Sequence, residues 1–136
     1  LDSIQAAVLL AKLSVLDDEL ISRNEVASKY LALLSGLKLK AMPSICAFNQ
    51  SVWAQFTIEV ENRDKVQAHL AEKGIPTAVH YPIPLNKQLA FVDLNAHLPA
   101  SESAAKHVIS LPMSPYLSHE NQRIIVREIN SIIGDF

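Results

Sequence analysis

The chain has 136 residues, 14 acidic against 12 basic side chains for a net charge of −2, and 49% hydrophobic content. That is the length of one domain with enough apolar mass for a core, and its few glycines and ordinary charge content argue against disorder. The mixed charges contain no lysine or arginine run, which disfavours nucleic-acid and anionic-membrane partners, and the single cysteine, Cys46, excludes an internal disulfide or cysteine-based metal cluster and fits a cytoplasmic location.

Residues 2–35 read as one long helix. Ile4, Val8, Leu9, Leu13, Leu16 and Leu20 recur mostly at three- and four-residue spacing, and no proline interrupts them. Gly36 is placed as a stop, and Asp17-Asp18-Glu19 marks a local break or an exposed corner. A second face, Ala6, Ala7 and Leu10, is also apolar, which predicts packing on something beyond this helix. The longest wholly apolar run, Ala6 to Ala11, is far too short for a bilayer, and no secretory-signal pattern is visible. The sequence opens at Leu1 inside this helical pattern, so we expect a piece of a longer protein.

Residues 37–51 form an irregular connector. Val52 to Val60 then alternates as a strand, with Val52, Ala54, Phe56, Ile58 and Val60 on one face and Trp53, Gln55, Thr57 and Glu59 on the other. Asn62 is placed to cap a helix over 63–73 whose inward side is Val66, Leu70 and Ala71, ended by Lys73-Gly74. A strand over 75–81 follows, with Pro76 marking it as an edge strand. Residues 82–99 are irregular and longer than most loops. Ser101 or Ser103 starts a short helix to about Lys106, and His107 to Leu111 reads as a strand closed by Pro112 and Pro115. Ser118 caps a last helix, 119–133, with Ile124, Ile125, Ile129 and Ile132 inward. Helices and short strands in this order predict an α+β fold: a two-layer small domain, its small and mostly antiparallel sheet carrying helices largely on one face.

Gly74-Ile-Pro-Thr-Ala-Val-His-Tyr-Pro-Ile-Pro-Leu-Asn-Lys-Gln88 is the best site candidate. A β-branched run ends in His80 and Tyr81, and Pro82 and Pro84 then deny the sheet its donors and stiffen the exit. Histidine can donate to a phosphate or carboxylate, and tyrosine can bond a hydroxyl. The competing reading is an ordinary strand end with a satisfied histidine. Adjacent strand residues face opposite sides, so the pair shares a target only if the chain bends there. Asn86, Lys87 and Gln88 follow on the loop, as pocket-lining groups or as a solvated surface. Trp53 can stack on a flat ligand or pack under a helix. His69, His80, His97, His107 and His119 are scattered, with no pair at helical ligand spacing. There is neither a glycine-rich phosphate loop nor a nucleophile elbow, so no catalytic residue is expected in this chain.

Four tracts carry a resemblance. Leu1-Asp-Ser-Ile-Gln-Ala-Ala-Val-Leu-Leu-Ala-Lys-Leu13 is similar to the helix that follows an Asn-x-Arg motif in the DegT/DnrJ/EryC1/StrS sugar aminotransferases. Residues 74–88 resemble that family's G-I-x-T-x-x-H-Y-P-x-P-L-H-x-Q segment, Pro99-Ala-Ser-Glu-Ser-Ala-Ala105 its P-x-x-E-x-x-A tract, and Ser110-Leu-Pro-Met-Ser-Pro115 its S-L-P-M-x-P tract. The resemblance implies that residues 1–136 are the C-terminal small domain of a fold-type-I enzyme. In the whole enzyme, pyridoxal 5'-phosphate would be held by a large N-terminal domain whose Schiff-base lysine, ring aspartate and phosphate-binding residues have no match here. It implies a homodimer moving an amino group from glutamate to a nucleotide-linked keto sugar. His80, Tyr81 and Asn86 would then be substrate-side residues. The wording V-H-Y-P-I-P-L-N-K-Q, with asparagine where many relatives have histidine, is shared with members acting on UDP-2-acetamido-2-deoxy-3-oxo-glucuronate in O-antigen synthesis. Two alternatives stand beside this: a free-standing binding or interaction domain without catalysis, and a deoxysugar dehydratase of the same family.

Overall fold

The computed structural model describes residues 2–93 and 95–134. Among these residues it is an α+β small domain of five helices and a two-stranded sheet. The element order is α1 (Ser3–Leu13), α2 (Leu16–Leu34), β1 (Phe56–Glu59), α3 (Arg63–Glu72), a 3-10 turn (Leu85–Lys87), α4 (Pro99–His107), β2 (Val108–Leu111) and α5 (His119–Ile133). Strands β1 and β2 pair antiparallel, with Phe56 opposite Leu111 and Ile58 opposite Ile109. Single antiparallel bridges extend the sheet on both sides, Ala41 to Glu59 and Ala78 to Ser110.

Directly paired residues share a face. Phe56, Leu111, Ile58 and Ile109 therefore form one apolar face, and all four are buried. Helices α2, α3 and α5 cover it with Tyr30 and Leu34, Val66 and Leu70, and Ile125 and Ile129. The opposite face carries Thr57 and Ser110, whose hydroxyls lie 2.9 Å apart. That polar face, beside the Ala78 bridge, is where the loop after Gly74 leaves the sheet.

The predicted long helix is two helices. Asp2 starts α1 with a reciprocal capping box to Gln5, which satisfies two otherwise orphan backbone donors. The break falls at Ser14–Val15, where the Ser14 hydroxyl donates to the Ala11 carbonyl. Asp17, Asp18 and Glu19 are then the first turn of α2, where a helix N-terminus favours negative charge. None of the side chains of α1 is buried.

Three other expectations change in detail. The Val52–Val60 strand is only Phe56–Glu59, because Trp53 adopts a left-handed φ of 46°. That residue reverses the alternation: Trp53 turns into the core, 5.5 Å from the Phe56 ring, and Val52 faces solvent. The Arg23 guanidinium donates to the Trp53 carbonyl, and the Trp53 indole N–H donates to Asn24. Asn62 does not cap α3 through its side chain; its backbone takes φ 52° and its carbonyl accepts the Lys65 N–H. In α5, Ser118 caps as expected, its hydroxyl accepting from the Asn121 N–H. Ile124, however, faces outward, while Gln122 is fully buried and donates 2.8 Å to the Val26 carbonyl of α2.

Candidate functional site

The predicted strand over 75–81 survives as one pairing position. Gly74 turns the chain with φ +72°, a conformation that L side chains adopt only with strain. Ala78 exchanges both backbone hydrogen bonds with Ser110, at 3.1 and 2.8 Å. Pro76 has no N–H to offer, and beyond Val79 the chain leaves the sheet. The segment thus sits at the sheet edge, as Pro76 implies.

His80 and Tyr81 follow that exit and are joined by a cis peptide bond. Their rings meet edge to face, 5.8 Å between centroids and 71° between planes. Both line one concavity of about 510 Å³. One wall is the loop, with Ile83, Leu85 and Gln88; the other is the inner side of α4, with Ser101, Ala104 and Ala105. His80 also borders a smaller hollow of about 280 Å³ on the polar sheet face, beside Ser110 and Met113. The bend that the sequence left open is therefore present, and imidazole and phenol share a target space. Tyr81 is 73% exposed, so the site is an open wall rather than an enclosed cavity.

Helix α4 supplies the wall that single-residue reasoning missed. Pro99 starts it at the first helical position, earlier than either serine, where a missing N–H costs nothing. Ser101, Ala104 and Ala105 stand at helical i, i+3, i+4 spacing, which was the available signal, but small side chains give no hydrophobic contrast.

The other sequence candidates fall elsewhere. Asn86 is buried in the 3-10 turn, yet it is not among the residues lining the concavity. Its side-chain nitrogen and oxygen both lack hydrogen-bond partners, while its carbonyl accepts the Asp93 N–H. Lys87 pairs with Glu102 of α4 at 2.8 Å, which holds the Glu102 carboxyl below the usual carboxylate range. Gln88 lines the concavity and donates to the Ile83 carbonyl. Trp53 packs in the core. A larger hollow of about 780 Å³ lies on the outer side of α2 near Asp17 and Lys29, without an aromatic ring or imidazole to orient a ligand.

Pyridoxal phosphate requires an amine for its aldehyde, a carboxylate at its ring nitrogen and donors around its phosphate. Among the described residues lining the His80–Tyr81 concavity there is no lysine, arginine, aspartate, glutamate or glycine. The concavity does not fit that cofactor, and no cofactor step is assigned to it. Its donors and apolar walls suit a polar ring ligand held from one side.

Comparison with known proteins fixes the family. Residues 1–130 match the model of the DegT/DnrJ/EryC1/StrS aminotransferase family. A UDP-2-acetamido-2-deoxy-3-oxo-D-glucuronate aminotransferase of Pseudomonas aeruginosa is 48% identical over 125 residues, 92% of this chain and 34% of that protein. A dTDP-3-amino-3,6-dideoxy-alpha-D-galactopyranose transaminase of Aneurinibacillus thermoaerophilus is 38% identical over 96% of this chain and 36% of its own length. The crystal structure of a DegT DnrJ EryC1 StrS aminotransferase from Brucella abortus superposes with a TM-score of 0.90 at 42% identity, covering 98% of this chain and 36% of that one. The chain thus spans about a third of the length of the relatives it matches, and it belongs to this family of pyridoxal-phosphate-dependent sugar aminotransferases.

Proposed function

We propose that residues 1–136 are the C-terminal small domain of an aminotransferase that moves an amino group from glutamate to a UDP-linked 3-keto sugar, with 2-acetamido-3-oxo-glucuronate as the sugar. The Pseudomonas relative is named for that substrate, and this chain carries the Val79–Gln88 wording described above. The observation that carries the reading is the pairing of His80 and Tyr81 at one open concavity. His80 is the one lining side chain there, among the described residues, that can take a positive charge, so it is assigned to the carboxylate or phosphate; a charged ligand group leaves water only against such a partner. The Tyr81 hydroxyl is assigned to a sugar hydroxyl. Asn86 is assigned a place near the substrate through the loop that carries it. In the whole enzyme, pyridoxal phosphate would supply the electron sink for amino transfer; this domain would bind and orient the sugar. The enzyme is read as a cytoplasmic homodimer serving lipopolysaccharide O-antigen synthesis. Among the described residues, no helix is long and apolar enough to cross a membrane.

The test is a titration of the ¹⁵N-labelled chain with UDP-glucuronic acid, with amide shifts expected at His80, Tyr81, Ala104 and Ala105. His80→Ala weakens the complex by about 0.5–1.5 kcal/mol, the net range of a hydrogen bond that competes with water, roughly 2- to 13-fold. Shifts confined to other surfaces, or an unchanged affinity in His80→Ala, refute the assignment. In an enzyme carrying this domain, the same substitution raises KM for the nucleotide sugar more than KM for glutamate. On the chain alone, pyridoxal phosphate gives no borohydride-sensitive absorption band.

A further inference from the structure

The loop after Tyr81 forms one wall of the concavity through Ile83, Pro84, Leu85 and Gln88, and among its described residues the polar bonds stay almost wholly inside it. Lys87 N–H donates to Pro84, Gln88 to Leu85, Phe91 to Gln88, Asp93 to Asn86 and Ala96 to Asp93. The Gln88 side chain bonds Ile83 and the Asn95 N–H bonds Asp93. Apolar anchoring is thin as well, since Leu85, Leu89 and Phe91 are all exposed. Among the described residues, one ion pair ties this loop to the rest of the chain: Lys87 Nζ to Glu102 Oε2, at 2.8 Å. Its two ends stand on opposite walls. Lys87 closes the 3-10 turn that carries Leu85 and precedes Gln88, and Glu102 lies in the first turn of α4 beside Ser101.

We propose that Lys87 and Glu102 are a positioning pair, a strut that fixes the gap between the loop wall and the α4 wall and so presents His80 and Tyr81 at the right separation from α4. Neither residue lines the concavity, so the pair acts through the walls it joins. This rests on the reading of the concavity as the nucleotide-sugar wall, and it adds a specificity element to it. Lys87 does not line the concavity and spends its charge on Glu102. Glu102 also sits where a helix N-terminus favours a carboxylate, so its position is held from both sides.

The experiment uses the intact chain with Glu102→Gln, Lys87→Gln and the reversed pair Lys87→Glu with Glu102→Lys. Amide hydrogen exchange over residues 83–92, measured without ligand, rises roughly 3-fold in each single variant, the scale of an exposed ion pair. It returns towards wild type in the reversed pair. Salt at about 1 M reproduces the effect in wild type and adds nothing in Glu102→Gln, because the pair is screened. With UDP-glucuronic acid as the probe, affinity falls in the singles and recovers in the reversed pair, while thermal midpoints stay within about 2 °C of one another. Unchanged loop exchange in both singles, or no recovery on reversal, overturns the strut. Failure of the wild type to bind the probe refutes the substrate reading instead, and the exchange measurement still decides the strut.

Discussion

Tyr30→Phe isolates one hydroxyl on which the seating of the polar sheet face depends. Tyr30 is fully buried in α2, and its ring lies 5.0 Å from that of Phe56. Its hydroxyl donates 3.0 Å to the Pro112 carbonyl, just past the end of β2 and next to Met113, which borders the hollow shared with His80. Phenylalanine keeps the ring packing and removes that single bond. A neutral hydrogen bond contributes about 1 kcal/mol net. Pro112 is only partly buried, so water can reach its freed carbonyl and no further penalty is added. At about 2.1 cal/mol/K per residue, unfolding 136 residues carries roughly 0.29 kcal/mol/K, so the thermal midpoint should fall by about 3–4 °C. Alkaline pH gives a second readout. Burial pushes the Tyr30 phenol above its ordinary range. A group raised in the folded state contributes stability below its unfolded pKa, near 10, and that stability is lost as pH rises beyond it. Calorimetry at neutral pH and at about pH 10.5 should therefore show the midpoints of wild type and the Tyr30→Phe variant converging at the higher pH. A neutral-pH loss under about 1 °C, or above roughly 8 °C, refutes the single-bond account, and so does an alkaline gap as wide as the neutral one.

Ser118→Ala removes the α5 cap and should cost about 1 kcal/mol in denaturant unfolding; Ser118→Asp should restore most of it, and equal losses in the two would disprove the cap. Gln122→Leu exchanges a buried amide, one of whose atoms (Oε1) is unpartnered, for an apolar group of similar size. The gain from losing the orphan offsets the lost bond to Val26, so stability should change by less than about 1 kcal/mol; a loss above about 3 kcal/mol would mean that the amide holds more than one bond. Acidification should destabilise the chain. Hydrogen bonding from Lys40, Lys87 and Arg127 lowers the carboxyls of Glu61, Glu102 and Glu128, respectively. A lowered carboxylate stabilises above its unfolded pKa, about 4.3, and that contribution disappears as pH falls through the folded value. Thermal midpoints in low salt should drop below about pH 4.5, less steeply in a triple Gln variant; parallel curves for the two proteins would contradict the assignment.

The parts of the fold that were legible in the sequence are those determined locally. The last helix reads correctly from 119 to 133 because Ser118 and the apolar repeat lie within one stretch. Its inward set does not, because Gln122 is buried by a partner 96 residues away that no local pattern announces. Trp53 fails for the same reason. Alternation over Val52–Val60 predicts one continuous strand, yet bonds from Arg23 and to Asn24 draw Trp53 inward through a left-handed backbone that alternation cannot encode. Half of the candidate site's geometry was legible: proline after His80 and Tyr81 marks a stiff exit whatever the tertiary context. The facing wall was not, since Ser101, Ala104 and Ala105 become a wall only once α4 is laid against the loop. Lys87 reads as a solvated loop cation until Glu102 is placed beside it.

An open wall bears on the affinity to be expected. Hydrogen bonds made at a surface compete with water, and charge interactions there are weakened by a high effective dielectric. Tyr81 is mostly exposed, and the loop beside it presents Ile83, Leu85, Leu89 and Phe91 to solvent. On the proposed reading, His80 and Tyr81 would therefore orient a sugar in this chain without holding it tightly. The expected dissociation constant of UDP-glucuronic acid for the chain alone is on the order of 1 mM, while covering the same wall with a second protein surface would strengthen each bond by removing water. Isothermal titration measures this directly. A micromolar constant, insensitive to His80→Ala, would show that binding energy comes from somewhere other than this pair, and the division of labour in which this domain orients rather than captures the sugar would have to be given up.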